Sequence, residues 1–317
     1  MLLVFCGTPR FAVPTLEKLV EAGHSVALVV TQPDRPRGRG MEVAVSPVKE
    51  AAMRLGIAVA QPATIKNNAE FRDQLTTINP DAIIVVGYGR IIPQWMIDLP
   101  RLGNLNLHAS LLPKYRGAAP IQWAIASGES VTGVTTMRID AGLDTGDILM
   151  QREIPIAPED TAETLGPRLA SIGASLMVET LGGLANGHVR PVPQNHSQAT
   201  LAPILEREDG RMDFSRTAND LFNRLRGFQL WPGAFTLFKG KTLQVHQARP
   251  AQTGVNLPPG QLAVEGMRLS VGCGKEKDDD TGTALQLIEV QLEGKRRMTA
   301  SEFINGYRPK SGDYLGQ

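Results

Sequence analysis

Two apolar runs, residues 2–6 and 25–31, flank a stretch from 9 to 22 in which Phe11, Leu16, Leu19 and Val20 recur at helical spacing before Gly23. A buried strand, an amphipathic helix closed by a glycine and a second buried strand make a β-α-β unit, which leaves few architectures open. The pattern continues along the chain. Ser46 and Pro47 read as the N-cap and first residue of another helix, which Gly56 ends ahead of an extended run at 57–60. A further helix is expected over 68–77, and residues 81–86 are apolar enough to be buried on both faces. Strands alternating with helices predict an α/β fold, a parallel sheet covered by helices.

Residues 161–184 keep an apolar helical period despite Gly166, Pro167 and Gly173, with Pro167 expected at a first turn or kink, and this helix closes the first domain. From 187 to 206, Pro191, Pro193 and Pro203 stand among polar residues with little periodicity, the pattern of an extended linker. Beyond it a helix over 215–226 precedes short strand-like runs at 234–238, 242–248, 261–264 and 285–290, which suggest a small β-barrel. The expected organisation is therefore a catalytic domain over 1–187, a linker over 188–207 and a second domain over 208–317. A chain of 317 residues exceeds the usual size of one core, in keeping with two. The charge run at 275–280 reads as a solvated hairpin tip, and Trp95, Trp123 and Trp231 as core or domain-contact residues.

A net charge of +1 gives no global signal for nucleic acid, so any polyanion site must be a local cluster. Cys6 and Cys273 are far apart, with no Cys-x-x-Cys and no histidine spacing for zinc, so neither a disulfide framework nor a metal site is expected. The opening residues lack a basic leader, and no apolar run approaches the ~18 residues of a membrane span. A cytoplasmic location is expected. Gly7-Thr8-Pro9 follows the first strand, yet no further glycine completes a dinucleotide fingerprint, and NAD is not expected.

The chemistry concentrates later. Asn104-Leu105-Asn106-Leu107-His108 alternates with the period of a strand, which puts Asn106 and His108 on one face. An amide donor and an imidazole at a strand end, before a Pro/Gly-rich turn, suit a site that polarises a carbonyl and moves a proton. A capping role for both is the plainer alternative. Asp144 and Asp147, in Gly142-Leu143-Asp144-Thr145-Gly146-Asp147, each offer a carboxylate to orient an imidazole, and spacing does not choose between them. Arg35, Arg37 and Arg39 lie on a Pro/Gly-rich loop after the second strand, and arginine forks suit phosphate. Lys295, Arg296 and Arg297 form a second basic cluster.

These residues resemble the methionyl-tRNA formyltransferase family over essentially the whole chain. The resemblance rests on Phe5-Cys6-Gly7-Thr8-Pro9, on Thr31-Gln32-Pro33-Asp34-Arg35-Pro36 with Gly38-Arg39-Gly40, and on Asn106-Leu107-His108. Ser110-Leu111-Leu112-Pro113, Arg116-Gly117-Ala118-Ala119-Pro120-Ile121, Gly142-Leu143-Asp144-Thr145-Gly146-Asp147 and Phe303-Ile304-Asn305-Gly306-Tyr307-Arg308-Pro309 extend it. It implies a Rossmann-like parallel-sheet domain, a linker and a C-terminal barrel similar to an OB fold. It also implies formyl transfer from 10-formyltetrahydrofolate to the α-amino group of methionyl initiator tRNA. Folate is then expected beside Ser110, Leu111, Leu112 and Pro113. The tRNA is expected at Arg35, Arg37 and Arg39, with Lys295, Arg296 and Arg297 as further candidates. Where many relatives continue the arginine loop with lysines, Met41 and Glu42 stand here.

On this reading Asn106 donates to the oxyanion of the tetrahedral centre, His108 donates and shuttles a proton, and Asp144 orients His108. The enzyme is expected to work as a monomer without metal. Rival readings are a formyltransferase for a sugar-nucleotide or small amine, a non-catalytic RNA-binding protein on the same scaffold, and a hydrolase releasing formate from the same folate.

Overall fold

The computed structural model describes residues 1–37, 42–251, 257–276 and 282–317. Strand β1 (Leu2–Gly7) is apolar on both faces. Val4 and Cys6 join a buried cluster with Phe71, Leu75 and Met96, while Leu3 and Phe5, pointing the other way, are also fully buried. Helix α1 (Val13–Glu21) buries Leu16 and Leu19 and leads to β2 (Ser25–Val30), completing the first β-α-β unit. A small hairpin, β3 (Arg35–Arg37) with β4 (Glu42–Ala44), precedes α2 (Pro47–Arg54). Ser46 caps that helix by accepting from the Lys49 N–H at 3.1 Å.

Then come β5 (Val59–Ala60), α3 (Ala69–Ile78, capped by Asn68), β6 (Ala82–Val86), α4 (Gln94–Ile97) and β7 (Asn104–His108). Helix α5 (Pro120–Ala126), strands β8 (Val131–Arg138) and β9 (Ile148–Pro155), and the 24-residue α6 (Ala162–Ala185, Pro167 inside it) follow. The sheet order is β5-β2-β1-β6-β7-β8-β9, parallel through β7 and antiparallel in β8 and β9. The parallel sheet expected from the sequence is thus extended by two strands that alternation did not single out. Chain order reverses between β1 and β6, where open α/β sheets bind ligands outside the carboxyl ends of their strands.

Helix α6 lies on the face opposite Asn106 and His108. A Cβ on Gly173 would fall 2.6 Å from Leu107 Cδ2, so only a glycine lets the helix sit this close to β7. The Thr136 and Thr180 hydroxyls, 2.8 Å apart, tie the same helix to β8.

The later part of the chain forms α7 (Ala218–Phe228), β10 (Ala234–Phe238), β11 (Lys241–Pro250), β12 (Leu262–Glu265), β13 (Arg268–Lys275), β14 (Gly282–Leu292), β15 (Met298–Thr299) and α8 (Ala300–Tyr307). Among the described residues its strands make an antiparallel sheet in the order β10-β11-β14-β13-β12, with β15 on β14. Leu243, Val245, Leu269, Val271, Leu285, Leu287 and Phe303 centre its core. Strands β13 and β15 are additions to the runs read from the sequence.

By backbone proximity the chain divides into two units. One is Met1–Pro120, Val131–Pro155 and Gly166–Pro203, and the other is Ile121–Ser130, Ile156–Leu165 and Ile204–Gln317. Cys6 and Cys273 are both buried free thiols. Burial pushes the Cys6 thiol far above its ordinary range and the Cys273 thiol up to about 12. Trp95 packs edge-on to Phe71 and Trp123 edge-on to Phe228. Trp231 is 56% exposed, in the turn after α7, so of the core or domain-contact roles expected it does not take the first. Among the described residues no helix is long and apolar enough to cross a membrane.

Candidate active site

Strand β7 is where the sheet changes from parallel to antiparallel pairing. Asn104, Asn106 and His108 share one face of it, with consecutive members about 6.6 Å apart along the strand. Their roles diverge by environment. Asn104 is buried and donates to the Met96 and Ile97 carbonyls of α4 at 2.8 and 3.1 Å. Asn106, half-buried beside Val85 and Met137, has no hydrogen-bond partner for its carboxamide among the described residues. Its donors are available to a ligand.

His108 is buried. Its Nε2 lies 2.8 Å from the carbonyl oxygen of Tyr115, and a carbonyl only accepts, so Nε2 carries a proton. Nδ1 faces the Asp144 carboxylate at 3.7 Å. That carboxylate, and not Asp147, is the acidic group beside the ring. Asp144 Oδ2 also accepts from the Gly117 N–H at 2.9 Å. The ring is therefore held on one nitrogen by a backbone carbonyl and flanked on the other by negative charge. Nδ1 is the atom left for proton exchange.

Both residues in contact with the imidazole have left-handed backbones, Tyr115 at φ 60° and Asp144 at φ 52°. Such a conformation costs a non-glycine residue about 1–2 kcal/mol, and it persists only where the surroundings impose it. Gly117, at φ 122°, is confined further: a Cβ there would lie 2.6 Å from the Ala202 carbonyl oxygen. Sequence reasoning singled out Asn106, His108 and the Asp144 loop, and the structure sets His108 beside Asp144 and beside the carbonyl of Tyr115, a residue to which that reasoning gave no role. Its contribution is a main-chain oxygen, which no residue type advertises.

The turn over 110–113 is internally braced. Ser110, fully buried, donates from its hydroxyl to the Lys114 carbonyl at 2.6 Å. The Thr135 hydroxyl donates to the Ser110 carbonyl at 2.7 Å and accepts from the Leu112 N–H at 3.1 Å. Leu112 is buried, whereas Leu111 and Pro113 are partly exposed. Any contact by Ser110 and Leu112 with a ligand is thus through the shape they give the turn.

At the carboxyl end of β2, polar contacts hold the residues that precede the arginine cluster to α2 and the end of β5. The Thr31 and Ser46 hydroxyls are 2.8 Å apart, Lys49 pairs with Asp34, and Gln61 donates to Asp34 Oδ1 and to the Gln32 carbonyl, both at 2.8 Å. Hydrogen bonds from Lys49 and Gln61 hold the Asp34 carboxyl below the usual carboxylate range. Arg35 and Arg37 belong to β3, whereas Arg39 and Met41 lie outside the described residues. In the second unit Lys295 is exposed, Arg296 pairs with Glu302 at 2.8 Å, and Arg297 approaches Glu289 at 3.4 Å and donates to His246 Nδ1 at 2.9 Å. Among the described residues no group of three or more His, Cys, Asp or Glu could hold a metal ion.

Comparison with known proteins gives relatives that match over the full length. Residues 1–181 match the Formyl transferase family and residues 204–308 the family described as Formyl transferase, C-terminal domain. The chain is 67% identical to the methionyl-tRNA formyltransferase of Koribacter versatilis, covering 100% of this chain and 99% of that one. It is 62% identical to the protein of the same name from Acidobacterium capsulatum, over 96% of each chain. In fold it is similar to an N-formyltransferase from Helicobacter canadensis solved with folinic acid and dTDP-3-aminofucose. That structure has a TM-score of 0.65 and 20% identity, with 92% of this chain and 98% of that one covered.

Proposed function

Because the chain belongs to the formyl transferase family, among the methionyl-tRNA formyltransferases, we infer that it transfers the formyl group of 10-formyltetrahydrofolate to the α-amino group of methionyl initiator tRNA. The observation that carries the reading is the meeting of an unengaged Asn106 carboxamide, the His108 ring and the Asp144 carboxylate at one end of β7.

A free α-amino group titrates near pH 8, and the adjoining ester withdraws electrons, so at neutral pH much of the nucleophile is already unprotonated. Its attack on the formyl carbon makes a tetrahedral centre with a negative oxygen and a positive nitrogen. Asn106 donates to that oxygen. His108 exchanges one proton at Nδ1, since Nε2 is engaged by Tyr115, and Asp144 sets negative charge beside the nitrogen where the proton arrives. Collapse returns the pair of electrons to the carbonyl and expels N10 of the folate with a proton.

The turn over 110–113, with Ser110, Leu111, Leu112 and Pro113, borders this place and would hold the folate. Arg35, Arg37 and Arg39 would hold phosphates of the acceptor stem. Residues 208–317 would add backbone contacts to the tRNA, with Lys295, Arg296 and Arg297 in reach of solvent. An aminoacyl-tRNA acceptor supports a cytoplasmic location.

Formylation measured with initiator Met-tRNA, elongator Met-tRNA and a panel of small amines tests the reading. Transfer to the initiator alone is expected. Preference for a small amine, or formate release without any acceptor, would overturn it.

A further inference from the structure

The segment over 188–207, polar and proline-rich, reads as a linker, yet Gln194 within it is 6% exposed. Its carboxamide is satisfied at every position. Nε2 donates to the carbonyls of Asp144 and Gly146 at 2.9 and 2.7 Å, and Oε1 accepts from Arg116 Nε and Nη2 at 3.1 and 2.6 Å. This arrangement fixes the sense of the amide, because two carbonyls need donors and a guanidinium needs an acceptor. Among the neutral and acidic side chains of this length, only glutamine offers both.

The partners make the contact informative. Tyr115, Arg116 and Gly117 are consecutive, and each touches a different member of the site. The Tyr115 carbonyl accepts from His108, the Arg116 side chain reaches Gln194, and the Gly117 N–H donates to the Asp144 carboxylate. Main-chain bonds from Arg116 N to Thr200 O at 2.9 Å and from Ala202 N to Arg116 O at 2.7 Å stitch that tripeptide to the same late segment. Gln194 is thus the cross-link between the loop that holds His108 and the loop that carries Asp144.

We propose that Gln194, locked by Arg116, is a positioning residue that sets the Asp144 carboxylate against His108 for formyl transfer. This rests on the assignment of Asp144 and His108 made above. At 3.7 Å the carboxylate stands just outside hydrogen-bond range of Nδ1, so a displacement of under an ångström decides whether the two groups engage. Asp144 is held in a left-handed conformation that it leaves readily once its carbonyl is released. A misplacement of about 1 Å in a reacting constellation costs about 10²-fold in rate.

The test uses the full chain with 10-formyltetrahydrofolate and initiator Met-tRNA, comparing Gln194→Met, Gln194→Glu, Asp144→Asn and the combination Gln194→Met/Asp144→Asn. Gln194→Met should lower kcat by about 10- to 100-fold with both KM values within about three-fold. Gln194→Glu keeps a partner for Arg116 but turns an acceptor toward two carbonyls. It should remain folded by melting temperature and lose kcat to a similar extent. In the Asp144→Asn background, Gln194→Met should cost less than about three-fold, because both changes act through one group. A kcat for Gln194→Glu near that of the parent would overturn the proposal, and so would a full, additive loss in the double variant. If Asp144→Asn alone left kcat near the parent's, the assignment of Asp144 would fall first, and the clamp with it.

Discussion

Asn106 and Asn104 are two residues apart on one face, yet their hydrogen-bond partners differ. Asn104 spends its donors on α4, whereas those of Asn106 remain open to a ligand. Removing one oxyanion donor costs about 2.7–4 kcal/mol of transition-state stabilisation. Asn106→Ala should therefore cut single-turnover formylation by about 10²–10³-fold while leaving tRNA affinity within a few-fold. Survival of the single-turnover rate would remove Asn106 from the chemistry. Alternation alone made the shared face of Asn106 and His108 legible, because a strand repeats every two residues. Spacing alone did not separate Asp144 from Asp147, since that depends on how a glycine-flanked loop returns to the sheet, and it is the family resemblance that singles out Asp144. The parts played by Tyr115, Arg116 and Gln194 were not legible for a related reason. They act through a backbone oxygen or across 78 positions of chain, and a proline-rich segment gives no periodicity that would reveal a buried side chain.

Within the elements, two positions show what places β7. On α6, replacing Gly173 by Ala would gain about 0.8–1.0 kcal/mol of helix propensity. The new methyl would meet Leu107 at 2.6 Å, and overpacking of that kind costs about 1–3 kcal/mol. The clash should win, so Gly173→Ala is expected to lower the urea midpoint, and Leu107→Ala added to it should recover part of the loss. A midpoint at or above the parent's would show that the helix can retreat without cost. At the opposite end of the sheet, Asp81 accepts from the Leu2 N–H at 2.8 Å and from Arg101 at 2.9 Å. The Leu2 bond first, and the Arg101 contact after it, hold the carboxyl below the usual carboxylate range. A depressed folded value means stability that is fully present above the unfolded value and lost as pH falls through the folded one. Asp81→Asn should therefore melt below the parent at pH 7, with the gap closing below about pH 4. A gap independent of pH would assign the loss to packing. Strands β1, β2 and β6 were legible as continuous apolar runs. Strands β8 and β9 were not, because they are antiparallel, carry Thr, Gln, Arg and Glu among their apolar residues, and so lack the run that marks a doubly buried strand.

At the scale of the whole molecule, 33 basic residues are set against 32 acidic ones, so the long-range field cannot gather a polyanion. Capture of tRNA must come from a few local charges, and the two basic clusters differ in what else they hold. Arg296 and Arg297 are already joined to Glu302, Glu289 and His246, exposed contacts that solvent screens. A phosphate can displace them, but part of its attraction goes into separating existing pairs. On either side of the proposed arginine cluster in sequence, Thr31 bonds Ser46 and Asp34 is held by Lys49 and Gln61. Each phosphate contact releases counterions and contributes about 0.7–0.9 to the slope of log affinity against log salt. Arg39→Ala should thus flatten the slope by nearly one such increment and weaken tRNA binding at low salt, with folate KM unchanged. Arg296→Ala and Arg297→Ala should each flatten it by less, since Glu302 and Glu289 already offset part of each arginine's charge before a phosphate arrives. Binding titrations from low to near-physiological salt separate the cases. A slope untouched by Arg39→Ala but lowered by a full increment in Arg296→Ala would move the primary phosphate contacts from the loop to the C-terminal unit.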